Sequence, residues 1–171
     1  MYKEGCMKKR IAENFLYHIW DEQHLKTDIE TVSGSKITIL FQGKWNTDAG
    51  PDFINSIILL DGKKLQGNVE IHRHEYDWKA HNHHEDPNFN SVILHVVFAH
   101  DKNTKFTISE NGSKIPILVL DDNLDQQIEK LWKQVKTESA KSNPNREKID
   151  KLKQQMTKKA KILLNKHQKA A

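Results

Sequence analysis

Residues 51–74 read PDFINSIILLDGKKLQGNVEIHRH. FINSIILL is rich in β-branched and large apolar side chains, and a second extended run, LQGNVEIHRH, follows the short DGKK segment. Asp61-Gly62 between two such runs is a strong hairpin signal, because a tight two-residue turn needs residues that accept positive φ. Folding at that turn brings the start of the first strand, Asp52, level with the end of the second. Side-chain alternation puts Glu70 and His72 on one face of the return strand and Val69 and Ile71 on the other. Two carboxylates and an imidazole are therefore expected to converge at one edge of a sheet.

Working outward, residues 28–41 read as another hairpin, DIETV and KITILF about a Ser-Gly-Ser turn. QGKWNTDAGPD is a loop by its Gly, Asn, Asp and Pro content. EYDWKAHNHHEDPNF is poor in β-formers and reads as a short helix or an ordered loop. SVILHVVFAH is the most apolar segment of the body and reads as a central strand. TKFTISENGSKIPILVL reads as a hairpin with Asn111-Gly112 at its tip.

Upstream, residues 9–21 form an amphipathic pattern with Ile11, Phe15, Leu16, Ile19 and Trp20 on one face and Glu13 near its edge. Downstream, Leu124, Ile128, Leu131 and Val135 repeat at helical spacing. TESAKSNPN interrupts that repeat, and Ile149, Leu152, Met156, Ala160 and Leu163 resume it. The expected fold class is α/β (or α+β): a mixed sheet with a flanking N-terminal helix and a C-terminal helical hairpin. The expected division is an α/β domain over 1–122 and a basic helical hairpin or arm over 123–171.

The chain of 171 residues is 36% apolar and 29% charged, enough for a modest core. Its net charge of +4 is unevenly spread. Residues 1–140 carry 17 Lys and Arg against 21 Asp and Glu, whereas residues 141–171 carry 10 against 2. The basic segment is thus the tail, and nucleic acid is its expected partner. No segment approaches the ~18 consecutive apolar residues of a membrane span, so no membrane partner is expected. The opening residues lack the apolar stretch of a signal peptide. Cys6 stands alone, which fits a reducing, cytoplasmic setting. Oligomeric state is left open.

Convergent carboxylates are what a hard divalent cation needs, and Mg²⁺ or Mn²⁺ suits Asp52 and Glu70. His72 beside them is placed to ligate or to take a proton. Seven of the ten histidines lie between His72 and His100. Of these, His81 and His83 form a possible second ligand set with Asp77, where imidazoles favour Zn²⁺ over Mg²⁺. Hydrogen bonding of the same histidines to loop backbone is the equal alternative. His95, inside VILHVV, reads as a hydrogen-bonded core histidine. Trp45 and Trp78 read as packing residues with the option of base stacking.

GPDF, a strand hairpin and then VEIH resemble the signature of the PD-(D/E)XK nucleases. That resemblance implies a restriction-endonuclease-like core, with Asp52 and Glu70 as metal ligands and Glu13 as an accessory acidic group. His72 stands where those nucleases carry Lys. FLYHIW, NTDAGPDF, GNVEIH, DW, HNH and VILHVV together resemble an uncharacterised bacterial domain family, over about residues 12–120. The matching positions are Glu13, Asn46, Asp48, Asp52, Glu70, His72, Asp77, Trp78, His81, His83 and His95, while His74 and His84 fall outside the pattern and are expected at the surface. Members of that family run longer, so the chain is expected to be a short or a truncated member. The favoured function is a metal-dependent nuclease-like domain acting on phosphodiesters. The alternatives are a non-catalytic nucleic-acid or protein-binding module, and a zinc-dependent hydrolase centred on His72, His81 and His83.

Overall fold

The hairpin at Asp61-Gly62 forms the middle of an eight-stranded mixed sheet. This is seen in a computed structural model that describes residues 13–101 and 104–162. Contacts divide the chain into two units, residues 27–123 and residues 1–26 with 124–171. The sequence reading grouped the N-terminal helix with the strands; by contacts it groups with the C-terminal helices.

The sheet unit contains β1 (Ile29–Glu30), β2 (Lys36–Phe41), β3 (Lys44–Trp45), β4 (Phe53–Leu60), β5 (Lys63–His74), β6 (Val92–Ala99), β7 (Phe106–Ile108) and β8 (Lys114–Val119). The order is β1-β2-β4-β5-β6-β8-β7, with β3 pairing on β4. β5 and β6 run parallel, as do β6 and β8, and the remaining pairs are antiparallel. The β5–β6 crossover carries a short helix, α2 (Asp77–Ala80), and two 3₁₀ turns, His83–Glu85 and Pro87–Phe89. A four-residue helix, α3 (Leu120–Asn123), closes the unit. β6 is the central strand expected from its apolar run, buried along nearly its whole length. The sheet curls, so that the Val32 N–H donates to the Ile117 carbonyl at 2.8 Å and Val32 packs against Val97, Ile117 and Val119.

Positive φ at both Asp61 (49°) and Gly62 (80°) gives the mirror-image turn that matches strand twist. Asp61 also ties the hairpin to β2, its Oδ1 accepting from the Lys36 N–H at 2.8 Å. Two irregularities then set the register. Asn55 adopts φ 59°, and the pairing shifts between Phe53 and Ser56. Continuing the Ser56–Gly67 register unbroken would have set Phe53 opposite Glu70; the bulge sets Phe53 opposite Val69 and brings Asp52 level with Glu70. A second shift, where Asn68 pairs with Val92 but Val69 with Leu94, places Glu70 opposite His95 and His72 opposite Val97. Partners in register share a face. Glu70, His72 and His95 therefore lie on one side of the sheet.

The helical unit contains α1 (Glu13–Asp21), α4 (Gln126–Ser139) and α5 (Arg146–Ile162). α4 begins at an Asp125 cap whose Oδ1 accepts from the Gln127 and Ile128 N–H groups, each at 2.9 Å. Its buried residues Ile128, Leu131 and Val135 are those of the helical repeat. α5 packs against α4 and α1, and the spacing-derived Ile149 and Met156 are buried. The parts of the expected helices at residues 9–12 and beyond 162 lie outside the described residues. No helix among the described residues is long and apolar enough to cross a membrane.

Candidate functional site

Asp52 and Glu70 meet through reciprocal bonds. The Asp52 N–H donates to Glu70 Oε2 at 3.1 Å, and the Ile71 N–H donates to Asp52 Oδ2 at 2.9 Å. Each carboxylate thus gives one oxygen to the other's strand, which fixes both side chains at the end of the hairpin. Asn46 shapes the approach. Its side-chain amide donates to the Pro51 carbonyl at 3.0 Å, and its backbone N–H donates to the Asp52 carbonyl at 2.7 Å. Asp48 is an exposed loop residue whose N–H donates to Asn46 Oδ1. Asn46 and Asp48 therefore build the loop that carries Asp52.

The β5–β6 crossover lays His81 and His83 over His72. His72 Nε2 lies 3.1 Å from His81 Nδ1 and 3.4 Å from Glu70 Oε1, and His83 Nε2 lies 3.2 Å from the same Glu70 oxygen. The three imidazoles each place one nitrogen within 4.8 Å of the other two. In a tetrahedral site with ~2.0–2.1 Å ligand bonds, neighbouring donor atoms stand about 3.3 Å apart. The 3.1, 3.4 and 3.2 Å separations bracket that value. His83 Nε2 is buried and, although 3.2 Å from Glu70 Oε1, has no hydrogen-bond partner among the described residues. His81 is exposed, so the cluster opens to solvent on that side.

Aromatic packing holds the arrangement. The His83 ring stacks on Phe89 at 3.7 Å and stands edge-on to Trp78 at 5.4 Å. Trp78 is buried with Phe89, Val92 and Ile115, its indole N–H donating to the Ile108 carbonyl at 3.0 Å. Beneath the cluster, His72 Nδ1 meets His95 Nε2 at 2.9 Å, and His95 Nδ1 meets Thr107 Oγ1 at 2.7 Å. Burial, reinforced by His95, His83 and His81, lowers the His72 pKa from its ordinary 6.5 to about 2. Burial and His83 lower that of His95 to about 3. His83 is lowered by burial as well, opposed by the negative charges of Asp52 and Asp86. His72, His83 and His95 are thus pushed toward the neutral form, which is the form that binds a metal.

His81 and His83 lie with His72 in one group, with Glu70 beside His72 and His83, and Asp77 is placed elsewhere. Asp77 Oδ2 accepts from the His74 N–H at 3.0 Å and so caps the turn into α2. His74 corrects an expectation: it is buried, 9% exposed, its ring stacked on Tyr76 at 4.9 Å, because β5 runs two residues past His72 before the chain turns. His84 is partly exposed, 3.5 Å from Glu85. Trp78 and His95 are the core residues their sequence context suggested, and Trp45 stacks on Phe53 at 6.0 Å. Glu13 opens α1 in the helical unit. Thr107 and Phe89 were not singled out from sequence. Both reach the cluster through the strand order and the crossover, which no local pattern encodes.

The model of a family described as "Protein of unknown function (DUF2851)" matches residues 13–169. No curated protein and no solved structure matches the chain. The chain belongs to that family, a result that agrees with the resemblance carried by NTDAGPDF, GNVEIH and VILHVV.

Proposed function

We propose that this chain is a divalent-metal-dependent hydrolase of phosphodiesters in nucleic acid. The metal is a transition metal, Zn²⁺ or Mn²⁺, held by His72, His81, His83 and Glu70. The observation that supports this is the set of donor separations, 3.1, 3.2 and 3.4 Å, among three imidazoles and one carboxylate. Imidazole donors favour Zn²⁺ and its neighbours over Mg²⁺. A cation there supplies Lewis acidity toward a phosphoryl oxygen and lowers the pKa of a coordinated water. The exposed His81 side leaves room for water and substrate. Asp52, whose charge reaches His83, is the nearby carboxylate suited to accept the water's proton. His72, with a pKa near 2, is a poor base and is assigned as a ligand. The nucleic-acid substrate class rests on the Asp52-hairpin-Glu70 resemblance and on the basic tail.

A second reading keeps Mg²⁺ on Asp52 and Glu70 alone, and their reciprocal bonds favour it. Metal content of the purified full chain separates the two. The expected result is about one Zn²⁺ or Mn²⁺ per chain, lost in His72→Ala and His83→Ala. Cleavage of a DNA and RNA panel should stop with chelator and return with Zn²⁺ or Mn²⁺. Retention of a transition metal with no cleavage of any substrate leaves a non-catalytic binding module. Cleavage with Mg²⁺ alone, unaffected by His83→Ala, transfers the function to the carboxylate pair. Neither metal retention nor cleavage refutes both.

A further inference from the structure

The chain of polar atoms from Thr107 through His95 to His72 has a direction, set by an atom that can only accept. His72 Nε2 faces Glu70 Oε1, a carboxylate oxygen, at 3.4 Å and His81 Nδ1 at 3.1 Å. A bare Nε2 would set its lone pair against that carboxylate, so the single proton of neutral His72 is assigned to Nε2 in the metal-free protein, with His81 Nδ1 as its other acceptor. His72 Nδ1 is then an acceptor, and the His95 proton must sit on Nε2, 2.9 Å away. That leaves His95 Nδ1 to accept the Thr107 hydroxyl at 2.7 Å. Each neutral imidazole owns one proton, so one assignment fixes the rest. His95 is fully buried and Thr107 is 6% exposed, so bulk water does not interrupt the chain.

A cation at His72 Nε2 needs the lone pair on that atom. The His72 proton must then occupy Nδ1, His95 must accept at Nε2 and donate from Nδ1, and the Thr107 oxygen must accept. We propose that His95 and Thr107 are positioning residues that set the tautomer of His72, and that metal entry reverses the proton order along the whole chain. The reversal moves the proton of each of two imidazoles from Nε2 to Nδ1 and rotates one hydroxyl. No proton is gained or lost, and the buried core acquires no charge from these three groups. A metal-binding histidine commonly has its second nitrogen fixed by a carboxylate, carbonyl or water; here a second histidine takes that place and passes the constraint to a hydroxyl. The metal half of this inference rests on the transition-metal reading above, and the metal-free proton order does not.

The experiment is two-bond ¹H–¹⁵N spectroscopy of the full chain labelled at histidine, first without metal and then with one equivalent of Zn²⁺. The metal-free protein should show His72 and His95 protonated on Nε2, and the Zn²⁺ form should show both protonated on Nδ1. His95 protonated on Nδ1 before metal is added overturns the proposal, and so does a His95 tautomer that stays unchanged while Zn²⁺ binds. If Zn²⁺ leaves every histidine signal in place, the metal-centre reading fails, and the metal-free order alone then decides the relay. Thr107→Val, which keeps the side chain's shape and removes its hydroxyl, should weaken Zn²⁺ binding by about 10-fold or more, with Thr107→Ser near the parent value. Parent-like Zn²⁺ affinity in Thr107→Val overturns the role given to Thr107. The tautomer readout uses the unaltered chain, so a poorly folded variant does not blunt the test.

Discussion

A histidine sealed from water makes folding depend on pH. His72 and His95 titrate at about 2 and 3 in the folded chain, against an ordinary 6.5 once unfolded. Between those values the unfolded chain binds more protons than the folded one, so acid favours unfolding. The stability they confer is fully present above about pH 6.5 and is lost as pH falls. Near pH 5 the loss should be roughly 2–3 kcal/mol per pH unit for the two together, a large share of a typical domain's stability. Urea midpoints of the metal-free protein at pH 7.5, 6.5 and 5.5 should fall in that order. A midpoint that holds constant across the series would show that neither imidazole is kept neutral by the fold. Glu70→Gln is a second residue-scale prediction. It retains an oxygen to accept the Asp52 N–H but removes the charge, so the fold should hold while Zn²⁺ affinity falls by about 10-fold or more, as read by competition with a chromophoric chelator. The site was partly legible in the sequence: Glu70 and His72 share a face by the period of two, and the hairpin turn brings Asp52 to the same end of the strand pair. Joining His81 and His83 to the same set required knowing where the crossover returns, and Thr107 required the order of strands that are distant in the chain.

At the scale of elements, the two bulges matter more than the regular pairing around them. Alternation alone recovers the β4–β5 hairpin, yet it sets Phe53 opposite Glu70; the positive φ of Asn55 is what brings Asp52 level with Glu70. Asn55 lies within FINSIILL with no glycine beside it, so the sequence offered no ordinary bulge signal. The second irregularity, at the start of β6, presses Ile93 and the Ser91 carbonyl against Gly67. A Cβ at Gly67 would collide with both, and the carbonyl is backbone that cannot turn away. Gly67→Ala should therefore destabilise the protein by about 1–3 kcal/mol in urea titration. It should also weaken metal binding, since moving the start of β6 moves His95 relative to His72. Full parent stability in Gly67→Ala would mean that β6 enters the sheet some other way.

At the scale of the whole molecule, charge is divided as the sequence indicated, with a mildly acidic body and a basic C-terminal segment. α5 displays Arg146, Lys151 and Lys158 to solvent. If this helix contacts nucleic acid, replacing the three with Gln should lower affinity for every sequence alike. It should also flatten the dependence of log K on log salt by about 0.7–0.9 for each lost phosphate contact. Unchanged binding at low salt would remove α5 from the interaction. Composition and helical spacing made this charge division and the α4–α5 pair readable, whereas the curl of the sheet left no local mark. That curl has a consequence for solubility. Among the described residues β7 pairs with β8 only as far as Pro116, which leaves the end of a buried strand with an open flank. The Val32 N–H occupies the Ile117 carbonyl on that flank, so the chain's own early segment blocks the template on which another copy's strand would align. Val32→Pro, which deletes that donor, should leave the protein folded but raise its light scattering over hours at concentrations where the parent stays clear, because a covered strand end guards against self-association as well as holding the fold.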